Sequence, residues 1–424
     1  MIYHLMSNLN SYILCGIASA WDEYYMSDND MVYMPCLVTG KNASVEAVHP
    51  AIKGVKDSQS SGAALISFNA PAFLSYGKEQ NYNSPVSKYA AFAYTTALNH
   101  LLSDRANVNY IGDTAVLFWA EGGEQAFRNL ANMSLFGVDE KYTNIEIQNK
   151  VKRIAEGKSI EFEETLVNPE RKFYVLGLAP NAARLSVRFF WHNSFGSFMR
   201  NINEHYKRLE IIRPEYDSFQ EIPLWKLLSE TVNQNSKNKA ASPVMSGQLL
   251  QAILTDGRYP ATLLNNVNIR IRADRKINYC RAAIIKSYYL KNKNKDVPEE
   301  VLQVALNNET TNVPYNLGRL FSILENIQQK ANPGINTTIR DKYFNSASAT
   351  PASVFPIILN LSQKHLSKIG GGLQVVLAKE MQDVIDKLGV EFPKRMNLAE
   401  QGSFQLGYYH QTQARYQGKN KEEK

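Results

Sequence analysis

The feature that most limits the possible folds is a change of hydrophobic pattern near Leu224. From that residue onward, apolar residues recur every three or four positions in segments separated by polar breaks, which is the period of an amphipathic helix. The pattern predicts helices over 224–232, 245–256, 260–291, 298–306, 314–331, 351–369, 373–389 and 398–416. The C-terminal half is therefore expected to form an all-helical bundle.

The N-terminal half has a different pattern, with short strand-like runs at Ala64–Phe68 and Ala115–Trp119. Two further strands are predicted at Phe173–Leu178 and Leu185–Trp191, and a helix over Phe195–Leu209 follows them. A helix is also predicted over 86–102. The expected fold class is α+β: a mixed α/β N-terminal part with short strands, followed by an all-helical C-terminal bundle.

Composition and length allow several domains. The chain has 424 residues, of which 44% are hydrophobic and 21% charged, enough for two or three domains with a core each. We predict an α+β region over 1–165, a block of two strands and a helix over 166–235 that packs on it, and a helical bundle over 236–424.

The cysteines indicate a reducing compartment. Cys15, Cys36 and Cys280 are too few and too scattered for a disulfide framework or a thiolate zinc site. No apolar run approaches the roughly 20 residues needed to cross a bilayer. We therefore expect a cytoplasmic protein with no membrane partner.

Positive charge is concentrated in one segment. The formal net charge is +7, and the segment Arg258–Lys295 contains ten Lys or Arg residues against one acid, Asp274. That segment carries +9, so the rest of the chain sums to −2. Because a solvated helix face normally intersperses both signs, the missing acids favour a polyanionic partner, nucleic acid first.

The position of each base on the predicted helix ranks the candidates. Projected as a single helix, 263–290 places four bases opposite its apolar stripe, whereas Arg270 and Arg281 fall on the apolar side. The four are the first candidates for contacts to a nucleic-acid backbone: Arg272, Arg275, Lys276 and Lys286. The alternative for this segment is an ordinary solvated helix face.

A second candidate set lies in the polar stretch Ile52–Asn69. Its lysines, amides and hydroxyls can donate to phosphates or base edges, and Gly54 and Gly62 permit close backbone approach. The candidates are Lys53, Lys56, Gln59, Ser60 and Asn69. The alternative is a polar loop without function.

A third candidate set, Asn181 and Arg184, lies between the strands predicted at 173–178 and 185–191. A polar loop in this position can contact nucleic acid. It can equally be a structural cap in which Arg184 pairs with an acid.

Catalytic patterns give no support for an enzyme. The seven histidines include no pair at i, i+4, there is no phosphate-binding glycine loop and there is no nucleophile elbow. We therefore predict no catalytic residue, no metal and no cofactor. A metal-dependent nuclease remains the rival, with acids that we expect to be solvated: Glu161, Glu163, Glu164, Asp383 and Asp386.

Six stretches taken together resemble one family: Cys36–Gln80, Pro85–Leu102, Tyr174–Trp191, Ile277–Lys286, Thr337–Pro356 and Glu400–Gln413. In this order they resemble the Csd-type large subunit (Cas-eight-c family) of the type I-C CRISPR surveillance complex, Cascade. The match runs from about Trp21 to Gln413, which makes it more specific than any single motif. Family members usually carry a further N-terminal region before the stretch matching Trp21, so the chain is expected to be shortened there.

The resemblance implies a non-catalytic subunit of an RNA-guided DNA-binding complex. Its implied partners are the crRNA, the target double-stranded DNA and its displaced single strand, the Cas-five-type and Cas-seven-type subunits and the Cas-three-type helicase-nuclease. The implied roles are recognition of the protospacer-adjacent motif, strand separation and helicase-nuclease recruitment in antiviral defence. Another alternative is a scaffold subunit whose basic helix meets acidic partner proteins.

Overall fold

The computed structural model describes residues 19–20, 32–104, 108–138, 141–214, 221–237 and 239–422, and 418–422 by their backbone alone. The described chain forms two compact units. Unit 1 comprises the residues up to Leu117 together with Leu176–Arg188, and unit 2 comprises Phe118–Val175 and the residues from Phe189 onward. The predicted boundaries at 165 and 235 stay a prediction, and Cys15 and Trp21 lie outside the described residues.

From residue 32 onward, unit 1 contains a short antiparallel pair, β1 (Tyr33–Pro35) and β2 (Asn42–Ser44), and helix α1 (Lys88–Ser103). The Ser87 side chain caps α1 by accepting a hydrogen bond from the amide of Ala90. A small core lies around Cys36, Val86, Ala90 and Ala91. The helix predicted over 86–102 is thus confirmed.

A four-stranded sheet has the order β3–β4–β7–β8. Its strands are β3 (Asn109–Ile111), β4 (Thr114–Ala120), β7 (Lys172–Asn181) and β8 (Arg184–Ser194). The strands predicted at 115–119, 173–178 and 185–191 are confirmed. The strand predicted at 64–68 is wrong, because Ala64 alone of these residues forms a bridge, and it is an isolated one. Ile66 packs against the core around Cys36.

The N-terminal part of unit 2 contains α2 (Gln125–Phe136), α3 (Asn144–Ala155), the antiparallel pair β5 (Ile160–Phe162) and β6 (Thr165–Val167), and α4 (Phe195–Leu209). Helix α4 has the predicted bounds. Its apolar face packs on a fully buried aromatic cluster, in which the ring of Phe173 lies 4.8 Å from that of Phe195 and 4.9 Å from that of Phe198.

The rest of unit 2 is helical: α5 (Leu224–Ser229), α6 (Pro243–Leu254), α7 (Ala261–Asp274), α8 (Tyr279–Asn292), α9 (Val313–Ala331), α10 (Ile339–Ala349), α11 (Pro351–Ile369), α12 (Gly371–Ile385) and α13 (Leu398–Glu422). The predicted mixed α+β class is confirmed. Helix α10 was not predicted, and the stretch 298–306 contains only a 3-10 turn at Glu299–Val301. Within the described ranges, every helix falls short of the length and apolarity that a membrane span requires.

The helix predicted over 260–291 is wrong, because the segment forms two helices. Helix α7 ends at Arg275, whose φ of 50° and ψ of 35° are left-handed. Helix α8 starts after Asn278, whose side-chain oxygen accepts a hydrogen bond from the amide of Arg281 at 2.9 Å. Left-handed residues end helices and asparagine begins them, so the single projection of 263–290 does not hold.

Helices α9 and α13 cross at two glycines. A Cβ atom on Gly318 would overlap the carbonyl of Phe404, and one on Gly407 would overlap the carbonyl of Tyr315. The two backbones therefore touch at this crossing. Around it, the buried rings of Phe321 and Phe344 pack edge to face at 5.7 Å and form part of the core of the bundle.

Candidate nucleic-acid interface

Lys286 does not belong to a surface stripe. Its side chain on α8 is 2% exposed, and its Nζ donates a hydrogen bond to the backbone carbonyl of Arg208 at 3.1 Å. Burial lowers the pKa of Lys286 to about 8, against a smaller opposing effect of the Glu210 charge. The prediction that Lys286 contacts a nucleic-acid strand is therefore wrong.

Asp274 inside the basic segment, and Glu230 and Asp256 outside it, neutralise several of its bases. Arg281 is buried, and its guanidinium donates to Glu230 at 2.9 Å and to Asp274 at 2.6 Å. Asp274 also pairs with Arg270, and Lys291 forms an ion pair of 2.7 Å with Asp256. The +9 of the linear segment is thus partly cancelled by carboxylates that the fold brings to it.

Three of the four predicted stripe residues are exposed at the junction between α7 and α8. Arg272 donates to the side-chain oxygen of Gln401 at 2.8 Å. The side chains of Arg275 and Lys276 form no hydrogen bond or ion pair with any residue that the structure describes. These two cations are available to bind phosphate, although they sit on a turn and not on a helix face.

The second predicted set occupies a loop of unit 1 whose backbone is fixed. An isolated antiparallel bridge between Ile52 and Ala63 closes the loop 53–62. Asn99 on α1 accepts from the amide of Lys53 at 2.8 Å and donates to the carbonyl of Ala51 at 3.0 Å. Gly62 has a φ of 105°, and a Cβ there would lie 2.8 Å from that of Ala51.

Val55 of this loop is buried, whereas its four candidate side chains point into solvent. Lys53, Lys56, Gln59 and Ser60 are exposed, and none of the four side chains has a partner among the described residues. A fixed backbone with free donors at its tip can contact phosphates through the lysines and base edges through the amide and hydroxyl.

The structure joins the second and third predicted sets. Arg184 donates through Nη2 to the side-chain oxygen of Asn69, and its guanidinium lies 4.3 Å from the centroid of the Phe73 ring. The backbone of Ala64 also bonds Ala183 at 3.0 Å. The sequence left open a structural cap in which Arg184 pairs with an acid; among the described residues its hydrogen-bond partner is the amide Asn69 instead of an acid. Asn181 ends β7 and is exposed.

A cavity of about 410 Å³ in unit 1 lies against this cluster. Asn69, Leu74, Gln80 and His49 are among its lining residues. The Nδ1 atom of His49 lies 2.7 Å from the hydroxyl of Tyr94, and the buried Nε2 atom has no partner in the described part of the chain. Burial lowers the pKa of His49, so the imidazole is neutral near pH 7.

Sequence reasoning missed the neighbouring loop. We call residues 74–83 the Asn83 loop, because the side chain of Asn83 bonds three other positions in it. Tyr76 is fully exposed in this loop, and Lys78 is exposed. The sequence pattern that could have identified this loop is an aromatic residue followed by Gly77 and a lysine, within a segment bounded by turn-forming residues.

The acids of the rival nuclease interpretation are exposed. Glu163 and Glu164 lie in the turn between β5 and β6, and Asn129 donates to Glu163 at 2.7 Å. Asp383 and Asp386 lie on the solvent side of α12. Among the described residues, no three His, Cys, Asp or Glu side chains are grouped so that they could hold a metal ion.

A larger cavity, of about 550 Å³, lies in unit 2 and contains none of the predicted site residues. Glu221 and Arg213 are among its lining residues. Burial raises the pKa of Glu221 to about 7, against smaller opposing effects of Gln148 and Arg213.

Comparison with known proteins identifies the family. No curated protein matches the chain. The family model described as CRISPR-associated protein (Cas_Csd1) matches residues 15–416. This match confirms the resemblance inferred from the six sequence stretches. The chain therefore belongs to the CRISPR-associated Csd1 family, whose members are Cascade subunits.

Proposed function

We propose that this chain is the large subunit of a type I-C Cascade and binds nucleic acid without cutting it. The observation that carries the proposal is the loop 53–62, because its backbone is held by Asn99 while its cations and amide stay unpaired among the described residues. Because the chain belongs to the Csd1 family, we expect the nucleic acid that this loop contacts to be target DNA or crRNA.

The two units contribute different chemistry to this function. In unit 1, Lys53 and Lys56 neutralise phosphates, and Gln59 and Ser60 read base edges of the protospacer-adjacent motif. In unit 2, Arg275 and Lys276 bind the backbone of a DNA strand without sequence preference. The buried Lys286 and Arg281 support the fold only.

Cleavage is left to a partner. The complex recruits a Cas-three-type helicase-nuclease, and the Cas-five-type and Cas-seven-type subunits hold the crRNA beside this chain. The exposed acids on α12 and in the turn between β5 and β6 support this division of labour, because a nuclease metal requires converging ligands.

The deciding experiment reconstitutes the complex with crRNA and the partner subunits and crosslinks it to target DNA by ultraviolet light. We expect crosslinks from peptides that contain the loop 53–62 to crRNA or to target DNA. A complex that assembles and binds its target with no crosslink from this chain would instead favour the scaffold function.

A second experiment addresses the nuclease rival. The purified chain is incubated with labelled DNA and Mg²⁺ or Mn²⁺, and we expect the DNA to remain intact. Cleavage that disappears when Asp383 and Asp386 are replaced by Asn would contradict a non-catalytic subunit.

A further inference from the structure

The Asn83 loop is rigid although it lies on the surface. The side-chain oxygen of Asn83 accepts from the amide of Ser75 at 2.9 Å and from its hydroxyl at 3.2 Å. The side-chain nitrogen donates to the carbonyls of Lys78 and Gln80, both at 2.9 Å. One asparagine thus fixes the backbone on both sides of the loop tip.

Tyr76 occupies that tip with an exposed side chain and a strained backbone. Its side chain is 99% exposed, and its φ is 52°, a value that bulky residues rarely adopt. An exposed aromatic ring gains nothing from burial, and a left-handed backbone is strained for a residue with a bulky side chain. Such a residue persists where the surrounding hydrogen bonds determine its position, and strain of this kind concentrates at functional sites.

The surroundings of Tyr76 indicate what the ring can contact. One face of the nearby Phe73 ring is occupied by the guanidinium of Arg184, whereas the ring of Tyr76 is open to solvent. Lys78 follows two residues later, and Glu79, the one acid of the loop, lines the cavity of unit 1. An open ring beside a lysine matches a nucleobase with its phosphate better than an apolar groove of a protein.

We propose that Tyr76 stacks on an unpaired nucleobase of the nucleic acid that unit 1 binds, while Lys78 neutralises a phosphate of the same strand. This inference rests on the proposed nucleic-acid binding and adds the residue that contacts a base face. The rigid loop presents the ring before binding, so little conformational entropy is lost when the base stacks.

Photocrosslinking tests the stacking in the full chain. The probe is a single-stranded oligothymidylate that carries 5-iododeoxyuridine, and its affinity is measured in parallel by fluorescence anisotropy. We expect the crosslinked peptide to contain Tyr76. Tyr76→Ala is expected to weaken binding by about 5- to 100-fold, in line with the loss of one stacked base. Tyr76→Phe is expected to retain both the crosslink and the affinity.

The control is Tyr89→Ala, because Tyr89 on α1 is also a tyrosine of unit 1 and is 60% exposed. We expect this variant to bind and crosslink as the parent does. Tyr76→Leu separates stacking from apolar contact, and full affinity in that variant would overturn the inference.

Three further outcomes separate the stacking of Tyr76 from the proposed function. Binding of the oligonucleotide with all crosslinks outside the Asn83 loop would overturn the stacking and leave the proposed function intact. Absence of any binding would overturn both. Loss of assembly with the other Cas subunits in Tyr76→Ala, at unchanged DNA affinity and crosslinking, would assign the ring to a protein partner and overturn the inference.

Discussion

Arg281 donates through Nε to a carboxylate oxygen of Glu230 at 2.9 Å, although 51 residues separate the two in the sequence. Both side chains are buried, and Asn278 donates to the other oxygen of Glu230 at 2.9 Å. The hydrogen bonds of Arg281 and Arg270 also hold the pKa of Asp274 below its usual range, against the opposing effect of burial. The most basic segment of the chain therefore contains a structural ion-pair network.

Breaking this pair should destabilise the fold strongly. Arg281→Ala leaves the buried carboxylate of Glu230 with only the more distant Lys226, at 3.7 Å, as a charged partner, and we expect a loss of about 3 kcal/mol of unfolding free energy. Replacing both partners by Met is expected to cost less than the sum of the two single changes. Urea unfolding followed by circular dichroism measures these differences. Arg275→Ala is the control, with an expected change within about 0.5 kcal/mol, and an equal loss in that variant would contradict the assignment.

Lys286 should make stability depend on pH in the alkaline range. Its folded-state pKa of about 8 lies below the ordinary value of 10.5, so the unfolded chain binds more protons between these two pH values. The contribution of Lys286 to the free energy of unfolding therefore increases as the pH rises through that window. Below pH 8 the buried ammonium is charged and destabilises the fold.

Lys286→Met removes this destabilising buried charge. After the loss of the hydrogen bond to Arg208, we expect a gain of about 1–2 kcal/mol at pH 7 that shrinks toward pH 10. Urea midpoints of both proteins at the two pH values provide the test, since other titrating groups cancel in the difference. A gain that does not change with pH would contradict a buried ammonium.

The crossing of α9 and α13 should tolerate no side chain. Gly318→Ala places a methyl group over the carbonyl of Phe404 and 2.8 Å from the amide nitrogen of Tyr408, so the helices must separate. We expect a loss of about 3 kcal/mol. Gly247→Ala on α6 is the matched control, because no atom lies within 4 Å of its added methyl group. That change should stabilise the protein by up to about 1 kcal/mol, and thermal unfolding distinguishes the two signs.

The exposed junction cations should control the salt dependence of DNA binding. Arg275→Ala together with Lys276→Ala is expected to reduce the slope of log affinity against log salt concentration by about 1.4 for single-stranded DNA. Lys286→Met should leave the slope unchanged because Lys286 is buried. Titrations at several salt concentrations measure the slope. An unaltered slope in the double variant would remove these residues from the interface.

The loop 53–62 should discriminate between target flanking sequences. Gln59→Ala and Ser60→Ala remove groups that can contact base edges, with an expected change in discrimination of about 1–3 kcal/mol. Lys53→Ala should weaken binding to all targets alike, because phosphates carry no sequence. Affinities of the reconstituted complex for targets with different flanks measure both effects. An equal loss of affinity for every target in Gln59→Ala would show that the loop supports the structure and does not read the flanking sequence.

The periodicity of the sequence determined most of the helices and the hairpin of β7 and β8. Helix α4 has its predicted bounds, and α9, α11 and α13 begin within one or two residues of the prediction. Amphipathic period and capping residues are local properties, so a single sequence reveals them. The single helix predicted over 260–291 was wrong because Arg275 adopts a left-handed conformation that usually signals glycine, and this residue separates α7 from α8.

Only the tertiary structure decided which cations are available to a partner. The sequence placed Lys286 on an outer face and showed one acid near Arg281, yet the fold buries both bases and supplies Glu230. It also paired Asn69 with Arg184 and exposed Tyr76. Charge neutralisation and solvent exposure depend on groups that are distant along the chain, and no local pattern contains that information.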